Sequence, residues 1–264
     1  MKIKIVLPLV ACASLSTAAL AADPWDSPFT IQAGAFWAQA KTSVRLDSNG
    51  GRLGTEVSLE SDLNVSEKKV SPDLEFFWRF NPHHAMEFSY VSLHRSGART
   101  ISGTINWGEV TFPVNTTVDT TFDSDVYRVA YRWSPINENG NELAVLLGAH
   151  VTTLKASMRS VTGTTSDEAS VDFPLPTLGI RASAAFANNW RVTGYGQALK
   201  LKIGDYDGSL LNGSVAVEWA FMRQAYAGLG YNYYKYKLTA EKENAKGKFD
   251  YRFDGPALYM GWAF

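Results

Sequence analysis

Cysteine is almost missing from this chain. Of 264 residues only Cys12 is one, so neither a disulfide framework nor a thiolate metal site can be built. A charge excess is missing too: 25 Lys and Arg face 26 Asp and Glu, which leaves no basic surplus for nucleic acid. Beyond residue 22 no stretch reaches 18 apolar residues, so that part has no transmembrane helix. What the chain does have is Tyr, Phe, Trp, Gly, Thr and Val, the composition of strands and turns.

The first residues read as an export signal. Met1-Lys2-Ile3-Lys4 is a short basic start, Ile5 to Leu20 is apolar, and Ala19-Leu20-Ala21 supplies a small-x-small cleavage pattern. The segment is about 16 residues, short of the roughly 20 a spanning helix needs. Leu9-Val10-Ala11-Cys12 also has the form of a lipoprotein box, but the apolar run continues past it to the better cut site. The expected organisation is a cleaved signal over 1–21 and one domain over 22–264. Cys12, Lys2 and Lys4 leave with the signal, and the formal charge moves from -1 to -3.

Period-two alternation fills the rest. Leu211, Gly213, Val215, Val217, Trp219 and Phe221 alternate with Asn212, Ser214, Ala216, Glu218 and Ala220. Leu143 to Val151 and Leu178 to Phe186 repeat the pattern. A soluble sheet would spread charge over its polar face. Here that face carries isolated charges among Gly, Ala and Ser, as the crowded lumen of a small barrel does. Trp78, Trp133, Trp190 and Trp219 each stand within three residues of a short turn, and Trp262 stands two from the last residue. An aromatic girdle at one membrane surface accounts for all five. The spacing predicts ten strands, over 29–46, 71–80, 85–97, 118–133, 142–156, 170–186, 190–203, 209–221, 225–239 and 248–264, with eight or twelve as alternatives. The predicted fold class is all-β: a transmembrane antiparallel up-and-down barrel, closed because hydrocarbon cannot satisfy a free strand edge. Both termini then lie on the periplasmic side of a bacterial outer membrane.

The sequence runs Leu258-Tyr259-Met260-Gly261-Trp262-Ala263-Phe264 at its end. Leu258, Met260, Trp262 and Phe264 resemble the terminal-strand signature of outer-membrane β-barrel proteins. The stretches Asp205–Gly208, Gly228–Asn232 and Tyr251–Pro256 are similar to small proteobacterial barrels of the OmpA-like superfamily. The resemblance implies a Gram-negative cell-envelope protein handled by the barrel-assembly machinery, in contact with lipid and lipopolysaccharide. It implies no activity.

Segments 47–70, 98–117 and 157–169 are expected as long outer loops, and Asp205–Gly208 as a short outer turn. Ile105, Trp107, Val110 and Phe112 in a hairpin over 98–117 would either meet an extracellular ligand or pack on neighbouring loops; loop 47–70 is a second candidate surface. A bulge near Ala38 to Ala40 is expected, because the apolar positions of strand one switch from Phe29–Trp37 to Thr42, Val44 and Leu46. Gly255-Pro256 is a second such place. Projected inward, the alternation yields Glu75, Arg79, Glu87, Arg128, Arg132, His150, Arg181, Arg191 and Glu218. These form either a self-neutralising plug or an arginine-biased wall for anions. No catalytic constellation can be named: His94 and Ser92 share a strand face, but about 6.5 Å separates such positions. The expected role is a monomeric, non-enzymatic barrel, structural or surface-interacting, with a largely plugged lumen and no cofactor or metal. The alternatives are a narrow, porin-like channel for small anions and, third, an outer-membrane hydrolase.

Overall fold

The computed structural model describes residues 24–264 apart from 164, 204–205 and 243–244; the expected signal segment lies outside the described residues. Among the described residues there are thirteen strands: β1 (Phe29–Asp47), β2 (Val57–Ser58), β3 (Lys68–Asn81), β4 (His84–Thr100), β5 (Ile105–Trp107), β6 (Val110–Phe112), β7 (Thr117–Glu138), β8 (Asn141–Ser160), β9 (Ser166–Ala187), β10 (Trp190–Ile203), β11 (Tyr206–Met222), β12 (Ala225–Lys242) and β13 (Ala245–Ala263). Ten of them pair antiparallel in chain order, and β13 returns to β1. The Phe264 amide donates to the Phe29 carbonyl at 2.8 Å and completes the seam. The sheet therefore has no free edge, as a barrel in hydrocarbon requires.

Ten barrel strands are what the alternation predicts. The twelve-strand alternative fails because β5 and β6 form a separate hairpin. At one end, here the turn end, two-residue connections join β3–β4, β7–β8, β9–β10 and β11–β12. Asn139 and Gly140 both take positive φ, 53° and 76°, the pair a two-residue hairpin favours. Both described chain ends lie here. At the opposite, loop end the strands run further than expected. Residues 157–160 extend β8 and 166–169 extend β9, so that connection is short. Tyr206, Asp207 and Gly208 pair with Ile203, Lys202 and Leu201 as strand, so these three are not turn residues; Asp205, the first residue of the expected turn, lies outside the described residues.

No bulge interrupts β1. Its register on β13 is constant from Thr30↔Ala263 to Asp47↔Lys246, and even-numbered residues point inward along most of its length. The apolar positions switch parity because the environment switches. From Phe29 to Trp37 the odd-numbered apolar residues face outward, with Phe36 alone turned into the core; above Trp37, Val44 and Leu46 are buried inside while Lys41, Ser43 and Arg45 face out. Nor do Gly255 and Pro256 shift the register. Gly255 instead permits close approach of the strands, since a Cβ there would lie 2.1 Å from the Trp37 carbonyl oxygen.

The same inversion occurs on other strands. On β8, Leu143, Val145, Leu147 and Val151 face out, then Leu154 and Met158 face in and Lys155 and Arg159 face out. On β13, Leu258, Met260 and Trp262 face out, whereas Phe249, Tyr251 and Phe253 face in. The outward apolar belt spans Phe29 to Trp37 on β1 and Leu143 to Val151 on β8, nine positions each, close to the roughly 9–11 residues that cross a bilayer. Above it the barrel holds an ordinary apolar core. Tyr234 stacks on Phe253 at 4.6 Å, Tyr251 lies 5.0 Å from Phe253, and Phe122 meets Tyr251 at 5.1 Å.

The loop-end connections complete that core. Above the Asp73↔Val91 pair, β3 leaves β4 and pairs with β1 alone. The segment around β2 fills the resulting gap. Leu59 N–H donates to Thr42 O at 3.0 Å on one side, and Ser66 N–H donates to Ser96 O at 3.1 Å on the other. Gly97 admits the segment, because a Cβ there would sit 2.1 Å from Asn64 O. Arg95, buried inside, pairs with Glu60 at 2.5 Å and donates to Thr42 Oγ1 at 2.6 Å. The guanidinium also lies 5.2 Å from the centre of the Phe122 ring. The β5–β6 hairpin lies across the mouth with Ile105, Trp107 and Phe112 buried in the same core. Its aromatic side chains are therefore packing groups, the second of the two readings the sequence left open.

Candidate functional site

The lumen below the aromatic core is the chemically richest place in the molecule. All nine charged or histidine residues projected inward from the alternation lie on the inner face, and seven of them are buried, with Glu75 and Arg191 half-buried. Glu87, at 0% exposure, is the hub. Arg128 Nη1 lies 2.8 Å from Oε2, while Arg181 Nε and Arg132 Nη1 lie 3.0 and 3.3 Å from Oε1. Three guanidinium groups on one carboxylate would repel one another without further anions. Glu142 supplies one, 3.4 Å from Arg132 and 3.5 Å from Arg79, and it accepts from Ser134 Oγ at 2.6 Å. Glu75 stands 3.9 Å from Arg128. Glu218 holds Arg191 at 2.6 Å and accepts from the Tyr259 hydroxyl at 2.7 Å.

Aromatic and amide groups solvate what remains. Arg128 and Arg181 lie 4.7 and 5.1 Å from the Tyr195 ring centre, where the quadrupole of the ring attracts a cation. Arg128 also donates to Gln197 Oε1 at 3.2 Å. His150 is fully buried and faces Arg128 across the β7–β8 ladder, beside Asn212. Trp25, from the segment before β1, lies 4.0 Å from Arg191 and 4.9 Å from the Tyr226 ring. It closes the network from the turn end over a cavity of about 50 Å³, room for a few waters.

Two members escape the sequence reading. Glu142 opens its strand beside a turn, and Asp73 sits between Pro72 and Leu74. Carrying the alternation one step back from Leu143 and from Leu74 places both inside. They matter for charge. Arg79, Arg128, Arg132, Arg181 and Arg191 are matched by Asp73, Glu75, Glu87, Glu142 and Glu218. By residue type, five arginines stand against five carboxyl groups among the described residues.

Outside the barrel, the five tryptophans Trp78, Trp133, Trp190, Trp219 and Trp262 all face outward near the turn end. Trp190 stacks on Trp219 at 5.9 Å, and Phe29 on Trp78 at 6.2 Å. Leu258, Met260, Trp262 and Phe264 form an exposed apolar row beside them. A second ring marks the upper edge of the belt, with Trp37 and Tyr231 exposed and Tyr90 stacked on Tyr127 at 4.8 Å.

Ser92 Oγ and His94 Nε2 approach to 3.2 Å, closer than their strand spacing implies, because the side chains lean together. Asp125 lies 3.6 Å from the same nitrogen. A nucleophile relay needs the acid on one ring nitrogen and the hydroxyl on the other, so this trio on the outer wall is a polar cluster. Among the described residues no group of three His, Cys, Asp or Glu side chains is placed to hold a metal ion.

No family model and no curated protein matches the sequence. Among solved structures, the outer membrane protease OmpT of Escherichia coli is similar over 90% of this chain and 97% of its own, with a TM-score of 0.56 and 12% identity. The chain has the fold of an outer-membrane β-barrel. The translocator domain of the autotransporter NalP from Neisseria meningitidis also aligns, with a TM-score of 0.45 and 8% identity over 90% of this chain and 89% of that one. At 12% identity the likeness to OmpT is one of fold. In this barrel the described inner face above the belt is aromatic and aliphatic, with Arg95 already paired to Glu60.

Proposed function

We propose that this protein is a monomeric integral barrel of the bacterial outer membrane, non-enzymatic, with both termini in the periplasm and a doubly closed lumen. Its lower closure is the ion-pair network around Glu87; its upper closure is the aromatic core capped by β5–β6. The role is structural or surface-interacting. The observation that carries the reading is the charge balance inside: each guanidinium already has a carboxylate, so no fixed charge is left to attract a passing ion. Leu258, Met260, Trp262 and Phe264 would be read by the barrel-assembly machinery, and the outward belt would meet lipid and lipopolysaccharide.

The rival is a narrow anion channel. Planar-bilayer recording separates the two. The closed barrel stays silent, in wild type and in Arg128→Ala or Arg181→Ala alike. Stable single-channel steps in wild type, with anion selectivity that falls in Arg128→Ala, would overturn the closed-lumen reading. The hydrolase reading finds no support in the Ser92, His94 and Asp125 geometry.

A further inference from the structure

Above the belt the outer wall carries a row of cations on three neighbouring strands. On adjacent strands β12, β13 and β1, Lys235, Arg252 and Lys41 stand at one height, since Arg252 pairs in register with both lysines. One step lower, Lys68 on β3 lies in register with Gln39 of β1. Neighbouring strands are about 4.8 Å apart, so the row spans the width of a lipid headgroup. On the far wall, β7–β9 present Asp125, Thr153 and Asp172 in one register row, with Asp123 and Lys155 paired one step above.

The carboxylates within the basic patch are already engaged. Asp250 holds Lys237 at 2.9 Å, Asp254 holds Arg252 at 3.1 Å and accepts from the Tyr231 hydroxyl, and Asp47 holds Arg45 at 3.0 Å. Lys41 and Lys235 have no ion-pair partner among the described residues. Between them runs a groove of about 240 Å³ lined also by Ser43, Ser58, Asp250 and Arg252. Four residues down the same strands, Trp37 and Tyr231 mark the aromatic edge of the belt. Amphipathic rings sit at headgroup level, so the cation row stands at the height of the phosphates.

We propose that Lys41, Lys235 and Arg252 form a docking site for the phosphorylated headgroup of a glycolipid in the outer leaflet, on the β12–β13–β1 wall. This rests on the reading that the apolar belt faces lipid. A charged headgroup is favoured because the row is one-signed and sits at the lipid interface; each lysine near such a surface contributes several-fold in affinity.

The test uses the folded full chain in detergent and lipid A carrying two phosphates as probe, with binding read by native mass spectrometry. Lys41→Ala with Lys235→Ala is expected to weaken binding roughly tenfold or more. Lys155→Ala with Arg159→Ala, on the other wall, is expected to leave it unchanged. Removing both phosphates from the probe should abolish the difference between wild type and the double variant. Equal affinity in wild type and the Lys41, Lys235 variant would overturn the site. So would full competition by millimolar inorganic phosphate, which would make the ligand a free anion. Heat-modifiable migration on gels checks folding of each variant. A barrel that inserts into vesicles but shows no phosphate dependence refutes this site alone; one that fails to insert refutes the membrane reading beneath it.

Discussion

Below Trp37 and Tyr127 the barrel is apolar outside and charged within; above them it is charged outside and apolar within. The β1–β13 register, and the β7–β8 register from Val118 to Trp133, run across the boundary unbroken. The alternation of a strand fixes only which residues share a face. The surroundings decide which face is apolar. In the lower half lipid lies outside, so the interior can hold five arginines and five carboxyl groups, provided they partner one another. In the upper half water lies outside, and the interior must be the dry side. A membrane protein and a soluble β-fold are thus stacked end to end, and the hydrophobic effect changes direction at the aromatic ring between them.

Substitutions in the two halves should fail for opposite reasons. The largest effect is expected inside the lower half. Glu87→Ala leaves Arg128, Arg132 and Arg181 short of their shared anion, and breaking such a buried set costs about 3–5 kcal/mol. Urea unfolding of the detergent-folded protein would show it. Trp107→Ala tests the upper interior. A fully buried Trp lost from a packed core costs about 3–5 kcal/mol, with the β5–β6 hairpin becoming the first site of proteolysis.

Outer-wall changes come next. Leu147, 61% exposed at mid-belt, faces hydrocarbon; Leu147→Arg should destabilise the inserted barrel by about 2–4 kcal/mol. Ser157→Arg, on the same face of the same strand above the belt, should cost less than about 0.5 kcal/mol. The smallest effect is expected for His94→Ala. It removes one member of an outer-wall cluster, so stability should shift by less than about 0.5 kcal/mol in the same unfolding assay.

Much of this was legible from residue order. The strands, the inward charges and the outward tryptophans follow from alternation together with turn residues. The inversion was visible too, in the parity switch from Trp37 to Thr42, Val44 and Leu46. Alternation alone cannot distinguish a bulge from a change of solvent, and a bulge is the local explanation. The burial of Ile105, Trp107 and Phe112 was not legible, because it depends on core residues from β7, β12 and β13 that approach only after closure. Asp73 and Glu142 were within reach of the pattern, yet each sits where a strand begins or changes partners. Arg95 and Glu60 form a pair across 35 positions of sequence, which no periodicity announces.

The inversion itself can be measured by thiol labelling. In a Cys12→Ser background reconstituted into liposomes, single cysteines at Leu147 and Ser157 place a probe on the same outer face of β8, below and above the aromatic ring. With a membrane-impermeant maleimide, Ser157→Cys should label rapidly, and Leu147→Cys should label only after detergent dissolves the bilayer. Equal labelling of the two in intact liposomes would contradict the account, because both halves of the barrel would then face water.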